Sequence, residues 1–176
     1  MKKAVSFERM ADQSFDLKSN SHLFNAVRVP LVIVDPRLPH LMKNTIRDEF
    51  TLNVDLAPTL LSAANIPVPD TMQGRDIAEM YLGSEEEIDH ARNSWRKSFY
   101  YEWFTGHKVV IPAALALVRK DLKYIIYPEY DYEELFLLEN DPYEERNIFN
   151  SSLETFNHAK IQFNEMKTLA ESGVKV

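Results

Sequence analysis

Four short runs of aromatic and β-branched residues, crowded into the stretch from Ser98 to Leu138, constrain the fold of this chain most. They read FYYEWF, AALALV, KYIIY and ELFLL, each too short for a stable helix and each bounded by polar or turn-forming residues. Residues 119–122 supply a hairpin turn between the second and third. Asn140-Asp141-Pro142 closes the fourth, because Asn and Asp side chains bond their own backbone and Pro cannot continue a ladder. Successive runs this close together leave no room for crossover helices, so the expectation is an antiparallel sheet. An antiparallel sheet of this size needs a cover on at least one face. Leu153, Phe156, Ala159, Phe163, Met166 and Ala170 recur at intervals of three and four behind Ser151-Ser152-Leu153-Glu154, which has capping-box spacing. A final amphipathic helix is therefore expected to pack on the sheet.

Upstream of residue 98 the pattern is different. Residues 29–34, VPLVIV, form a nearly continuous apolar run ended by Asp35-Pro36, which suits a strand covered on both faces. Asp55 is placed to cap a helix over 56–64, with Pro58 tolerated in the first turn and Asn65-Ile66-Pro67 as the stop. A loop through Pro67, Pro69 and Gly74 leads to Ile77, Met80 and Tyr81 at helical spacing. The organisation expected is an irregular lead-in over 1–28, a β-α unit over 29–83, a charged connector over 84–97 and an antiparallel subdomain with its terminal helix over 98–176. The fold class is α+β.

A chain of 176 residues that is 45% hydrophobic can bury about 70% of the surface its unfolded form exposes, enough for a core of its own. Net charge is −7, and nine acidic residues between Asp121 and Phe149 face only Lys123 and Arg146. Such a surface repels phosphate backbones, so nucleic acid is not an expected partner. No window reaches the 18 or so consecutive apolar residues of a membrane span, so a soluble chain is expected, and no signal peptide is visible behind Met1-Lys2-Lys3. With no cysteine, disulfides, thiolate metal sites and cysteine nucleophiles are excluded. The compartment stays open.

The order of three segments carries a resemblance. VRVPLVIVDPR at 27–37, VDLAPTLLSAANIPVPDTMQGRDI at 54–77 and YIIYPEYDYEELFLLENDPYEERNIF at 124–149 together resemble the C-terminal portion of the sulfatase family. That family lies within the alkaline-phosphatase-like superfamily, and the likeness includes its N-sulfoglucosamine sulfohydrolase-like C-terminal region. The resemblance implies that residues 29–83 belong to the end of a large sulfatase-type α/β domain. It also implies a catalytic apparatus of formylglycine, made from Cys or Ser in C/S-x-P-x-R, and calcium. This sequence has neither a Cys nor an S-x-P-x-R; Asp35-Pro36-Arg37 is the nearest string and supplies no hydroxyl. Nucleophile and metal site are thus expected to lie outside it, with no cofactor in this chain.

Three residues are candidates for contacting an anionic substrate. The resemblance places a lysine ten residues before the Arg of R-V-P, and that count from Arg28 gives Lys18, whose ammonium would neutralise sulfate oxygens. The family's preceding G-E-H-G is here Ala11-Asp12-Gln13-Ser14, and a solvated surface lysine fits the same pattern. His107, after Gly106, matches a G-x-H or P-x-H element that reaches toward substrate in several sulfatases; a loop histidine bonded to backbone is the alternative. Arg75 in MQGRD could pair with an anion or with a carboxylate. Glu133 and Glu134 suggest a glycosidase pair, yet neighbours on a strand point to opposite faces, and solvated charge on a sheet edge is the simpler reading. The scattered histidines lack zinc spacing. The tyrosines and Trp103 read as cross-strand packing more than as sugar platforms.

The function expected is that of a C-terminal portion of a sulfuric ester hydrolase, helping to wall the pocket for a sulfated sugar or aryl sulfate. Alone it should be inactive. The alternative is a non-catalytic binding module, self-associating as a homo-oligomer through the exposed VPLVIV edge.

Overall fold

The structure, a computed structural model, describes residues 29–38, 46–104, 112–149 and 153–173. Strands β1 (Ser98–Trp103), β2 (Ala114–Arg119), β3 (Leu122–Tyr127) and β4 (Tyr132–Leu137) form one antiparallel sheet in the order β1-β2-β3-β4. Helix α1 is Leu56–Ala63, α2 is Glu85–Ser94 and α3 is the terminal Leu153–Ser172. The four expected strand runs and the terminal helix are present, and the hairpin turn falls between Arg119 and Leu122.

Register sorts the side chains into two faces. Tyr100, Leu117, Tyr124 and Leu135 form one row across the sheet, and α3 lies against them through Ala159 and Phe163. Ring edges meet ring faces there: Tyr124 stands 5.5 Å from Phe163 and 5.7 Å from Phe156, both T-shaped. The opposite face carries Phe99, Val118, Lys123 and Phe136 in one row and Tyr101, Ala116, Ile125 and Glu134 in the next. Phe50, Leu52 and Leu138 close over its apolar part. Leu153, expected on the buried stripe of α3, is 74% exposed at the helix's first position, while Ile148 and Phe149 before it pack on that face of the sheet.

Upstream of the sheet the described residues show two further features. Residues 29–34 pair with no strand among the described residues, and Val29, Val32 and Val34 are 74%, 79% and 89% exposed. An extended segment becomes a strand only when a neighbour takes up its N–H and C=O groups, and no described segment does. The charged connector contains the helix α2. Ser84 accepts from the Glu87 N–H, the Glu87 carboxylate accepts from the Ser84 N–H at 2.8 Å, and Ile88 and Ala91 are buried. That capping box is written as S-x-x-E in the sequence and outweighs the run of surface charge.

Candidate functional site

Asp55 organises the half of the molecule that precedes the sheet. It ends a single turn of 3-10 helix, Asn53–Asp55, and is fully buried. Its carboxylate makes no cap bond to α1, contrary to the role expected for it. It accepts instead from the Leu52 N–H at 2.7 Å, from the Arg75 N–H at 2.8 Å and from both terminal nitrogens of Arg96, Nη2 at 2.8 Å. The peptide at Gly74 makes this possible. A Cβ there would stand 2.0 Å from the Val54 carbonyl oxygen, so only glycine lets the two backbones approach so closely. Thr59 repeats the link one turn on, donating to the Asp55 carbonyl at 2.6 Å and accepting from the Ile77 N–H at 2.9 Å.

Arg75 belongs to this assembly. Its guanidinium donates to the Ser94 carbonyl at 2.9 Å and lies 4.4 Å over the Trp95 ring, while Trp95, 1% exposed, donates its indole N–H to the Phe50 carbonyl at 2.7 Å. Asp35 is tied down nearby. Arg37 donates to it through the backbone N–H and the guanidinium, Tyr81 through its hydroxyl at 3.3 Å. The Arg37 hydrogen bonds hold the Asp35 carboxyl at about 2, against the opposing effect of desolvation.

A second polar group lies under the sheet, on the face away from α3. Lys123 points inward and its ammonium is 2.8 Å from both oxygens of Glu144. Glu134, on the adjacent strand and one row along, accepts from the Tyr127 hydroxyl at 3.2 Å. Burial pushes the Glu134 and Glu144 carboxyls up and the Lys123 ammonium down. Glu133 faces the other way and is met by Tyr124 and, at 3.3 Å, by Lys160 of α3. The opposite-face expectation for this pair holds, but solvated edge charge does not describe Glu134, which is 1% exposed. Its inward position was legible in the alternation with Phe136; Glu144, 21 residues from its partner Lys123, carried no such local signal.

Of the three substrate-contact candidates, Lys18 and His107 lie outside the described residues, and Arg75 lies within them. The approach to His107 is visible at the end of β1, where Trp103 and Phe104 are 39% and 67% exposed. Trp103 and Ala114 share a row, as do Tyr127 and Tyr132 at the same end of the sheet. Among the described residues no group of three His, Cys, Asp or Glu side chains could hold a metal ion, and no helix is long and apolar enough to cross a membrane.

The family described as N-sulphoglucosamine sulphohydrolase, C-terminal, matches residues 18–172. An N-acetylglucosamine-6-O-sulfatase of Bacteroides thetaiotaomicron is 30% identical over 153 residues, which are 82% of this chain and 25% of that protein. An arylsulfatase of Clostridium perfringens is 30% identical over 127 residues, 72% of this chain and 24% of its own length. A solved Bacteroides thetaiotaomicron protein described as a sulfatase has the same fold over 67% of this chain and 24% of its own, with a TM-score of 0.53 and 24% identity. The chain thus spans about a quarter of the length of these relatives.

Proposed function

Because the chain belongs to the N-sulphoglucosamine sulphohydrolase C-terminal family, we propose that it serves as the C-terminal part of a sulfuric ester hydrolase, one that shapes the substrate pocket and does not attack the ester. One observation carries the reading: residues 29–34 expose strand-type apolar side chains with no ladder beside them among the described residues. The outer side of α1 adds Leu56 and Leu60, 39% and 69% exposed, and Val54 before it is 51% exposed. A surface of this kind is completed by a sheet edge and its covering elements, and about three quarters of the arylsulfatase and of the N-acetylglucosamine-6-O-sulfatase lies beyond the part this chain resembles.

Attack on a sulfate ester needs the formylglycine nucleophile and calcium that the family uses, and this sequence has no C/S-x-P-x-R from which to make the first. Its own contribution is positional. The Asp55 assembly fixes the 46–55 and 72–76 segments against the start of the sheet, and the sheet presents the end of β1, from which His107 would reach substrate. Lys18 is assigned the sulfate contact. Arg75 is assigned to packing on Trp95 and Ser94 before any anion. A sulfated sugar is the substrate class favoured, since a relative matched over 82% of the chain is named for one.

The direct test is an aryl sulfate assay of the 176-residue chain with added calcium, where no turnover is expected; clear turnover would overturn the reading. Sequencing upstream DNA should find an in-frame C/S-x-P-x-R. The second reading, a self-associating module, draws on the same exposed run, and light scattering decides it: a dimer abolished by Val32→Lys would favour the module.

A further inference from the structure

The aromatic residues of the sheet fall into two groups. Tyr100 and Tyr124 lie on the α3 face and pack on Phe163, at 5.7 Å and 5.5 Å between ring centroids. Trp103, Tyr127 and Tyr132 lie on the other face, at the end of the sheet where β1 stops and β2 begins. Register pairs Trp103 with Ala114 and Tyr127 with Tyr132, and carried one step past the Leu115 and Ile126 pair it sets Ala114 beside Tyr127. All four therefore share one row. The indole on β1 and the phenol on β3 spring from points two strand spacings apart, about 10 Å, and buried Ala114 between them adds only a methyl group. The cover on this face meets its other end, where Phe50 stands 5.1 Å from Phe99 near the start of β1. Trp103 and Tyr132 keep 39% and 40% of their surface in solvent.

Both tyrosine hydroxyls of the row are engaged. Tyr127 donates to the Glu134 carboxylate at 3.2 Å, and Tyr132 accepts from the Asn147 side-chain amide at 3.4 Å. The two rings stand 5.9 Å apart with their planes 31° from each other. They are thus held in orientation, and what they offer outward is ring face. The face of an aromatic ring is its electron-rich part, so it attracts the C–H face of a sugar and repels a bare anion. The turn at the tyrosine end of the row, Pro128–Tyr130 with Asp131 after it, is acidic through Glu129 and Asp131, and it too repels sulfate. We propose that Trp103, Tyr127 and Tyr132 form an aromatic platform that seats the pyranose ring of a sulfated sugar, with the sulfate directed away from the turn of residues 128–131. This inference rests on the reading that the chain helps to wall a sugar sulfatase pocket, and it names the surface that holds the sugar ring.

The test is saturation-transfer NMR on the whole 176-residue chain, irradiating aromatic protons, with N-acetylglucosamine, its 6-sulfate and potassium sulfate as probes. The ring C–H protons of both sugars should receive magnetisation, and potassium sulfate should displace neither. Trp103→Ala and Tyr132→Ala should each weaken the sugar Kd by about 3- to 10-fold, whereas Tyr132→Phe, which keeps the ring, should stay within about twofold of the wild type. Tryptophan emission gives a second readout: Trp95 is 1% exposed, so a saturable shift on adding sugar reports Trp103. No transfer to either sugar, an unchanged Kd in both alanine variants, or displacement of the sugar by sulfate overturns the platform. Should Tyr132→Ala fail to fold, Trp103→Ala, at the exposed end of β1, decides on the same criteria. Failure of the underlying sulfatase reading looks different, since turnover of aryl sulfate by the chain alone overturns that reading and leaves the sugar titration as it was.

Discussion

Replacing Asp55 by asparagine tests whether one carboxylate really joins three segments of this chain. The side chain is 0% exposed and accepts from two backbone N–H groups and from Arg96, itself 8% exposed. Asparagine keeps the shape but replaces one acceptor oxygen with an NH₂ that meets donors head-on, and it removes the carboxylate charge that pairs with the guanidinium. Removing one partner of a buried ion pair costs about 3–5 kcal/mol, and an orphaned backbone donor about 1–3 kcal/mol. These losses overlap, so about 4 kcal/mol is expected for Asp55→Asn. That is a large share of the roughly 5–15 kcal/mol that holds a domain together. At a urea m-value of about 2 kcal/mol per molar, the midpoint should fall by about 2 M with m unchanged. Adding Arg96→Met removes the other half of the pair, so the double variant should be less destabilised than the sum of the singles by about 2 kcal/mol or more. A loss below about 1 kcal/mol in Asp55→Asn, or additive effects in the cycle, would refute the reasoning.

Other consequences follow from single contacts. Gly74→Ala forces a Cβ against the Val54 carbonyl, where both sides are backbone and neither can swing away; urea unfolding should show a loss of about 2–3 kcal/mol, in the range of overpacked sites. Arg37→Ala should return the Asp35 carboxyl from about 2 toward 3.8, read by carbon-13 NMR. Since a depressed carboxyl stabilises above 3.8 and loses that contribution as pH falls toward 2, the acid limb of the stability curve should flatten in the variant. Ser84→Ala removes the cap of α2 and should cost about 1 kcal/mol, with faster amide exchange at Glu87 as the local readout.

What the sequence revealed of this fold divides along a physical line. The sheet and terminal helix were legible because their signal is periodic and their partners are near in the chain: Tyr124 and Leu135 face each other across a short connection, and Ala159 and Phe163 repeat at helical spacing. The Asp55 assembly was misread because its partners, Arg75 and Arg96, lie 20 and 41 residues away, and a lone Asp before a helix carries the same local pattern whether it caps or not. Residues 29–34 show a different limit. Their composition suggests a setting with apolar neighbours on both sides, but a strand is a property of a pair, and hydropathy names only one member. The same logic bears on the pocket. Lys18 and His107 were singled out by spacing relative to a family pattern, which fixes chain position and not direction in space, whereas Arg75, chosen on chemistry alone, could be followed to groups it touches: the Ser94 carbonyl, the Trp95 ring and, at 3.8 Å, the Glu79 carboxylate. If Arg75 acts on substrate at all, it must first leave those contacts. Arg75→Lys should therefore weaken the fold through lost stacking on Trp95, a change that tryptophan fluorescence of the chain alone would register without any ligand present.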